Sequence, residues 1–197
     1  MGRGRLTDEE LMLRAAAGET TAFEALVLRW EGPLYNFVLR YAGDADLALE
    51  MRQETFLKAF AARRRWRPTA RFSTWLYTIA LNATRSELRK RGTRAKHSAA
   101  DDAEDIIERV PDGRPGPSRQ AERSELAGLV QKALGELPPE QREVVVLRHF
   151  AELSFPEIAV ALGCPLSTAK SRMTYALARL GALLEPELRK GDDDEVR

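Results

Sequence analysis

The stretch SFPEIAVALGCPLSTAKSRMTYALARLGALL (residues 154–184) predicts two short helices joined by a tight turn. Ser154 and Glu157 have the spacing of a capping box at the start of the first helix. Gly163 is the residue type expected just past the end of that helix, and Pro165 prevents it from continuing. Apolar residues recur at helical spacing on both sides of the turn, so each helix has one face to bury.

The second helix is predicted to begin near Ser167. Its opposite face carries hydrogen-bonding and basic side chains and no acid. These residues are Ser167, Thr168, Lys170, Ser171, Arg172, Thr174 and Tyr175. A helix with a donor-rich first half after a tight turn fits the major groove of DNA. The stretch therefore favours a helix-turn-helix, and a solvated helical hairpin is the alternative, because such hairpins are common.

Composition limits the other classes of protein. The 197 residues are 44% hydrophobic and 31% charged, which is typical of one or two folded, soluble domains. No apolar run is long enough for a membrane span, and the start lacks the apolar core of a signal peptide, so a cytoplasmic location is expected. Cys164 is the only cysteine; it excludes an internal disulfide and is better explained as a small structural residue than as a reactive thiol. With His97 and His149 it makes no convincing zinc site, and no metal or cofactor is predicted.

Three helices are predicted in the first 63 residues. The third has Asp44 or Asp46 as its cap, and Gly32-Pro33 predicts a kink or a break in the second. Capping-box spacing opens the first two, at Thr7 with Glu10 and at Thr21 with Glu24. The third helix leaves a polar face outside, formed by Asp46, Glu50, Gln53, Glu54 and Lys58. Considered alone, that face is most simply a solvated one.

Residues 58–96 form a strongly basic region. Twelve lysines and arginines against Glu87 as the single acid give it a formal charge of +11, although the whole chain carries only +1. Aromatic residues lie among the basic ones, at Trp66, Phe72, Trp75 and Tyr77. Cations for the backbone and flat rings for unstacked bases are what single-stranded nucleic acid requires. The alternative, favoured for Phe72 and Trp75, is that the rings belong to the core of a helix predicted over residues 73–90.

Periodicity is lost over residues 93–120, which are first acidic and then rich in turn formers. This composition is typical of a linker between domains. Helical patterns return after it, and the acidic end, residues 191–197, is predicted to be unstructured. No strand pattern occurs. The sequence therefore predicts an all-α protein with two small helical domains, one bearing a basic aromatic surface and the other a helix-turn-helix.

Three motifs in this order resemble bacterial RNA polymerase sigma factors of the extracytoplasmic-function (ECF) type. ALEMRQETFLKAF (residues 48–60) is similar to the core-binding helix of that family, and FSTWLYTIALNATRSELRKR (72–91) to its −10 element-binding segment. LPPEQREVVVLRHFAELSFPEIAVALGCPLSTAKSRM (137–173) is similar to its −35 reading domain. The resemblance covers nearly the whole chain.

The resemblance implies a non-enzymatic promoter-specificity subunit that binds core polymerase, recognises the −10 and −35 elements and initiates melting. It implies sigma region 2 at residues 7–92, a flexible linker at 93–120, sigma region 4 at 121–188 and an acidic tail at 189–197. The implied partners are the β and β′ subunits of core polymerase, promoter DNA and an anti-sigma factor.

The resemblance also assigns residues. Those implied to dock on the β′ coiled coil are Asp46, Glu50, Gln53 and Glu54. Those implied to bind the −10 element are Arg65, Arg67, Arg71, Tyr77, Thr78, Asn82 and Arg85. Those implied to face the −35 element are Ser167, Thr168, Lys170, Ser171, Arg172, Thr174 and Tyr175. The chain departs from the family pattern at Leu49, where an acid is usual, at Ser167, where Gly is frequent, and at Tyr175, where Arg is common.

Two rival functions remain on sequence alone. A stand-alone helix-turn-helix regulator would bind duplex DNA as a dimer without polymerase. A small helical enzyme or RNA-processing protein would use the basic region, but the chain offers no nucleophile with a base, no paired carboxylates in a cleft-like context and no metal cluster.

Overall fold

The computed structural model describes residues 6–97 and 117–194, which form helices and the short connections between them. Neither range contains a strand, which confirms the all-α fold. In the first range lie α1 (Asp8–Ala16), α2 (Thr20–Ala42), α3 (Ala45–Ala62), a 3-10 turn (Arg63–Arg65) and α4 (Phe72–His97). In the second lie α5 (Pro117–Gly135), α6 (Pro139–His149), α7 (Phe155–Leu162) and α8 (Leu166–Asp194). Among these helices, none is both long enough and apolar enough to cross a membrane.

Aromatic rings fill the centre of the N-terminal domain. The ring of Phe37 lies 4.8 Å from that of Tyr77, and Trp30 meets Tyr77 edge to face at 5.8 Å. Phe23 and Phe60 form a second edge-to-face pair between α2 and α3, with their centroids 5.1 Å apart. Such pairs contribute roughly 0.5–1.5 kcal/mol beyond the burial of their surface. The rings of Trp30 and Phe37 on α2 and of Tyr77 on α4 therefore join these two long helices in the core.

Side-chain caps begin α1 and α3 as predicted. The hydroxyl of Thr7 accepts a bond from the Glu10 N–H at 3.2 Å, and the Glu10 carboxylate accepts one from the Thr7 N–H at 2.8 Å. Asp44, and not Asp46, caps α3, because its Oδ1 accepts from the N–H of Leu47 at 2.8 Å. Both helices therefore begin where a short polar side chain satisfies amides that the helix itself leaves unpaired.

The predicted beginning of α2 was wrong. The helix starts at Thr20 after Glu19, which makes no capping bond, and no capping box forms at Thr21. The reason lies in the preceding turn: Gly18 adopts φ +109°, which reverses the chain and brings Thr20 directly into helical conformation. The break considered at Gly32-Pro33 does not occur either, since α2 runs through Pro33. Pro33 is exposed, and its missing N–H leaves the carbonyl of Arg29 without its helical partner.

Helix α4 is longer than predicted and shortens the linker. It continues to His97, and α5 already begins at Pro117, so only residues 98–116 of the predicted linker lie outside the described residues. Arg91 supports the added turns, because its guanidinium reaches Asp44 at 2.9 Å and Glu50 at 3.1 Å on α3. At the other end of the chain, α8 extends to Asp194, well into the tail that we predicted to be unstructured.

The two helices of the opening stretch pack as predicted. Gly163 ends α7 with φ 61°, and α8 follows after a short turn. Ala169, Met173 and Ala176 are buried on one face of α8. Leu177, one of the apolar residues that recur at helical spacing, is half exposed, so the buried face of α8 is narrower than its apolar pattern.

The N-terminal and C-terminal domains pack against each other. Helix α4 contacts α7, and α2 contacts α5 and α6. Polar bonds accompany the contact: Arg40 donates to the carbonyl of Ala127 at 3.2 Å, and Arg142 donates to the carbonyl of Tyr41 at 3.2 Å. The buried residues of the two domains consequently form one continuous cluster.

The cap of α3 supplies a test of the fold. We expect Asp44→Ala to lower the free energy of unfolding by about 1 kcal/mol, because it removes the bond to the Leu47 amide. Asp46→Ala changes an exposed acid in the same turn and should cost less than half as much. Urea denaturation followed by circular dichroism measures both, and equal losses for the two variants would contradict Asp44 as the cap.

Candidate functional site

An acidic stripe follows the outer side of α3. It consists of Asp46, Glu50, Gln53 and Glu54, whose spacing places them on one face of the helix. Glu50 accepts from Arg91 at 3.1 Å, and Glu54 pairs with Lys58 at 3.1 Å, both in exposed or half-exposed positions. Exposed ion pairs of this kind are weak and exchange easily with other partners. The stripe is therefore available to an incoming cationic surface.

A groove runs beside this stripe, between α3 and α4. Its α3 wall contains Glu50, Gln53, Glu54 and Leu57, and its α4 wall contains Ser86, Glu87 and Lys90. Leu57 is 60% exposed, and Leu49 is 45% exposed nearby on the same helix. Leucines on the surface with a rim of acids fit an amphipathic helix that carries basic side chains.

The loop before α4 keeps its cations outside and its rings inside. Trp66 and Phe72 are buried, and Trp75 is half-buried with its ring 5.9 Å from Phe72 and 6.4 Å from Trp66. This outcome supports the core interpretation for Phe72. The exposed members of the predicted set in this loop are Arg65, Arg67 and Arg71. Glu9 of α1 fixes the start of α4, because its carboxylate accepts from the Phe72 N–H at 2.9 Å.

Tyr77 differs from its predicted position on the polar side of α4. Only 2% of the residue is exposed, and its ring packs between Trp30 and Phe37. Burial raises the pKa of Tyr77 to about 12, and the negative charge of Glu152 adds to the effect. The reason is that α4 packs against α1, α2, α3 and α7, so its buried arc is wider than a one-sided amphipathic pattern indicates.

Arg85 of the same set is held by an acid from the other domain. Its Nε and Nη2 donate to the two carboxylate oxygens of Glu143 on α6, each at 2.5 Å. Tyr41 donates its hydroxyl to the same carboxylate at 3.0 Å. The hydrogen bond to Glu143 raises the pKa of Arg85, and burial raises that of Tyr41. Glu143 is 4% exposed, so these donors satisfy a carboxylate that water hardly reaches.

A second carboxylate joins α7 to α4. Glu157 accepts from the Thr74 hydroxyl at 2.9 Å and lies 3.9 Å from a guanidinium nitrogen of Arg71. It also accepts from the N–H of Ser154 at 2.8 Å, which fixes the start of α7. Burial alone would raise the pKa of Glu157, but the bonds from Ser154 and Thr74 and the charge of Arg71 hold it below its ordinary value.

The predicted −10 set is therefore divided by the domain contact. Asn82 and the loop arginines are exposed. Thr78 is half-buried and donates its hydroxyl to the carbonyl of Thr74 at 2.7 Å. Arg85 lies at the contact, and Tyr77 lies beneath it. Sequence reasoning missed Glu143 and Thr74, although an acid one turn before Leu147 on an otherwise apolar face of α6 is a recognisable sign of a buried ion pair.

The first half of α8 presents the third predicted surface. Lys170, Ser171 and Thr174 are exposed, and Arg172 is half-buried. The Ser171 and Thr174 hydroxyls are bonded to carbonyls of their own helix, at 3.0 and 3.2 Å. The ring of Tyr175 is 66% exposed. The buried residues of α8 lie on another side, so most of the predicted set faces away from the core, while Thr168 and Arg172 lie at the edge of the buried face.

No part of the described ranges 6–97 and 117–194 brings three or more His, Cys, Asp or Glu side chains together in a way that could hold a metal ion. Glu10, Glu143 and Glu157 are occupied by caps or by the domain contact.

Comparison with known proteins assigns each domain to a family region. The family model described as Sigma-70 region 2 matches residues 26–94, and the one described as Sigma-70, region 4 matches residues 127–180. Their order is that of the two helical domains. The first contains α3 and most of α4, and the second contains α6, α7 and the first half of α8.

Curated relatives match over nearly their whole length. The RNA polymerase sigma-H factor of Pseudomonas aeruginosa is 33% identical over 93% of this chain and 96% of its own. The ECF RNA polymerase sigma-E factor of Salmonella typhimurium is 31% identical over 94% of this chain and 98% of its own.

Solved structures match both domains together. CnrH, solved in complex with the cytosolic domain of CnrY, has a TM-score of 0.68 and 30% identity, covering 91% of this chain and 97% of that one. The sigma factor RpoE, solved with the anti-sigma factor NepR from Bartonella quintana, also has a TM-score of 0.68, with 28% identity over 83% of this chain and 96% of that one.

Proposed function

The chain belongs to the ECF group of the sigma-70 family of RNA polymerase sigma factors, and we propose that its three surfaces divide the work of promoter recognition. The acidic stripe of α3 docks on core polymerase, the loop before α4 with α4 itself binds the −10 element, and the first half of α8 binds the −35 element. The observation that carries the proposal is that each surface lies exposed, wholly or in part, on the domain whose family region requires it. The chain itself performs no covalent chemistry and acts in the cytoplasm beside the polymerase.

Docking on core polymerase rests on charge and shape. Asp46, Glu50, Gln53 and Glu54 supply acceptors for a basic coiled coil of the β′ subunit. The exposed Leu57 beside them offers apolar contact at the centre of that acidic rim. Leu49 replaces an acid that is usual in relatives, which exchanges one ion pair for further apolar contact.

Binding of the −10 element rests on the basic loop. Arg65, Arg67 and Arg71 are placed to hold phosphates of the non-template strand, and Asn82 to bond an unpaired base. Thr78 and Arg85 join this surface when the second domain moves away. Tyr77 has an indirect role, because its buried ring positions α4 and does not contact the strand.

Binding of the −35 element rests on α8. Lys170 and Arg172 provide cations, and Ser167, Thr168, Ser171 and Thr174 provide hydroxyls along the same helix face. Tyr175 replaces an arginine that is common in relatives. Since a phenol does not make the bidentate contact that arginine makes with guanine, this position sets a different preference in the −35 sequence.

An anti-sigma factor is the proposed regulator. RpoE of Bartonella quintana, which has a similar arrangement of helices, was solved with such a partner. A stand-alone helix-turn-helix regulator would need neither the acidic stripe nor a domain that matches region 2. The matches to both regions favour the sigma factor.

Run-off transcription tests the proposal. The protein is added to core polymerase with a library of promoter fragments from its own genome. We expect transcripts that begin at defined sites and depend on the added protein. Absence of such transcripts, together with specific duplex binding by the protein alone, would support the stand-alone regulator.

The docking surface predicts a charge-reversal phenotype. Glu50→Arg with Glu54→Arg should weaken co-elution with core polymerase by at least tenfold, because two acceptors become repulsive donors. The matched control, Glu24→Arg with Glu31→Arg, reverses two exposed acids of α2 and should co-elute normally. Circular dichroism should show an intact fold for both. Normal co-elution of the α3 variant would remove the docking assignment.

The α8 surface predicts variants that lose −35 binding and keep core polymerase binding. Lys170→Ala and Arg172→Ala should each weaken holoenzyme binding to −35 duplex by about tenfold. Each should also lower the slope of log affinity against log salt concentration by about one, because one fewer counterion is released on binding. Arg179→Ala, an exposed arginine farther along α8, is the control and should bind like the unchanged protein. All three should bind core polymerase normally. If both test variants bind the duplex normally in the holoenzyme, the assigned face of α8 is wrong.

A further inference from the structure

Helix α1 belongs to none of the three proposed surfaces, and it precedes residues 26–94, which match the region 2 family model. It nevertheless lies against the basic loop before α4. The helix contacts the 3-10 turn Arg63–Arg65, where the loop begins, and it contacts α4, where the loop ends. The loop that carries the cations proposed for the −10 strand is therefore bounded at both ends by α1.

Helix α4 begins without a capping side chain of its own. Arg71, the residue before it, has no hydrogen-bond acceptor in its side chain, and the first turn of α4 contains no acid. Glu9 of α1 supplies the acceptor from 63 residues away, because its Oε1 accepts from the Phe72 N–H at 2.9 Å. A carboxylate at this end of a helix also interacts favourably with the helix dipole. Glu9 thus does for α4 what a neighbouring Asp or Ser does for most helices.

The turn of α1 that carries Glu9 is itself anchored to α2. Asp8, the preceding residue, forms an ion pair with Arg29 and accepts from the indole N–H of Trp30 at 3.1 Å. The ring of Trp30 in turn packs edge to face against Phe72, with the centroids 6.1 Å apart. Glu9 therefore projects from a fixed turn, and the first residue of α4 is held through both its amide and its ring.

We propose that Glu9 is a positioning residue for −10 binding, because its bond to the first amide of α4 fixes where Arg71 and the arginines before it meet the strand. This role rests on the proposed −10 function of the loop and extends that function to a helix outside the −10 surface. Glu9 acts through the Phe72 amide and not by contact with DNA, since its carboxylate carries the same sign of charge as a phosphate.

A role through geometry and a role through charge have opposite signs at this position. Removing an acid beside a basic loop strengthens the attraction of the loop for phosphates. Releasing the start of α4 instead spreads the loop arginines over more positions. The apparent affinity for the strand is then reduced to the fraction of molecules that hold the loop in place. The direction of the change in strand binding therefore shows which role Glu9 has.

Three variants separate the bond from the charge and from the stability of α1. Glu9→Ala removes both the bond and the charge. Glu9→Gln removes the charge but keeps an amide oxygen that can accept from the Phe72 N–H. Thr7→Ala is the matched control, because it breaks the cap of α1 in the same turn and leaves Glu9 in place.

Each variant is assembled with core polymerase and titrated with a fluorescent single strand. The strand carries the non-template −10 sequence of a promoter mapped by run-off transcription. We expect Glu9→Ala to bind it about fivefold more weakly than the unchanged protein, and Glu9→Gln to bind it at least as tightly as the unchanged protein. Thr7→Ala should bind the strand normally, although its melting temperature and that of Glu9→Ala should each fall by about 2–4 °C. Binding of −35 duplex should be the same for all.

Strand binding by Glu9→Ala that equals or exceeds that of the unchanged protein would overturn the positioning role, since only the charge of Glu9 would then matter. Equal weakening by Thr7→Ala would overturn it as well, because any loosening of α1 would then suffice. If Glu9→Ala does not fold, Glu9→Asp decides, because its carboxylate is one methylene short of the Phe72 amide: normal strand binding by this variant overturns the proposal. Failure of the unchanged holoenzyme to bind the −10 strand or to direct run-off transcription would instead contradict the proposed function.

Discussion

The buried carboxylate of Glu143 is the contact on which the arrangement of the two domains depends. A charge that water hardly reaches is stable only with full hydrogen bonding, and Arg85 and Tyr41 of the other domain provide it. Neither domain satisfies this carboxylate alone. Apolar burial brings the domains together without fixing their orientation, whereas the bidentate bond between Glu143 and Arg85 restricts how α6 can lie relative to α4.

The sequence predicts the elements of the fold better than their boundaries. Caps such as Thr7 and Asp44 and terminators such as Gly163 act within one turn, so their meaning is visible locally. The misplaced start of α2 and the extended α4 have non-local or conformational causes. The turn at Gly18 starts α2 two residues earlier than the capping pattern indicates, and Arg91 stabilises the end of α4 through acids more than forty residues away.

For the candidate surfaces, too, features set by local spacing are predicted better than features set by distant contacts. The α3 stripe and the α8 face are each formed by one helix, and helical spacing alone places their side chains together. The −10 set spans a loop and a helix that packs against α1, α2, α3 and α7. Polarity placed Tyr77 outside, but its ring is buried against Trp30 and Phe37, and no pattern within α4 reveals that these rings of α2 will cover it.

The polar character of the domain contact is consistent with what a two-site reader of DNA requires. A contact formed only by apolar side chains would be costly to open, because exposing it leaves nothing for water to bond. Here the contact includes Arg85 with Glu143 and Thr74 with Glu157, groups that water solvates well once they separate. The guanidinium of Arg85 binds Glu143 through the same forked geometry that carboxylates and phosphates both match.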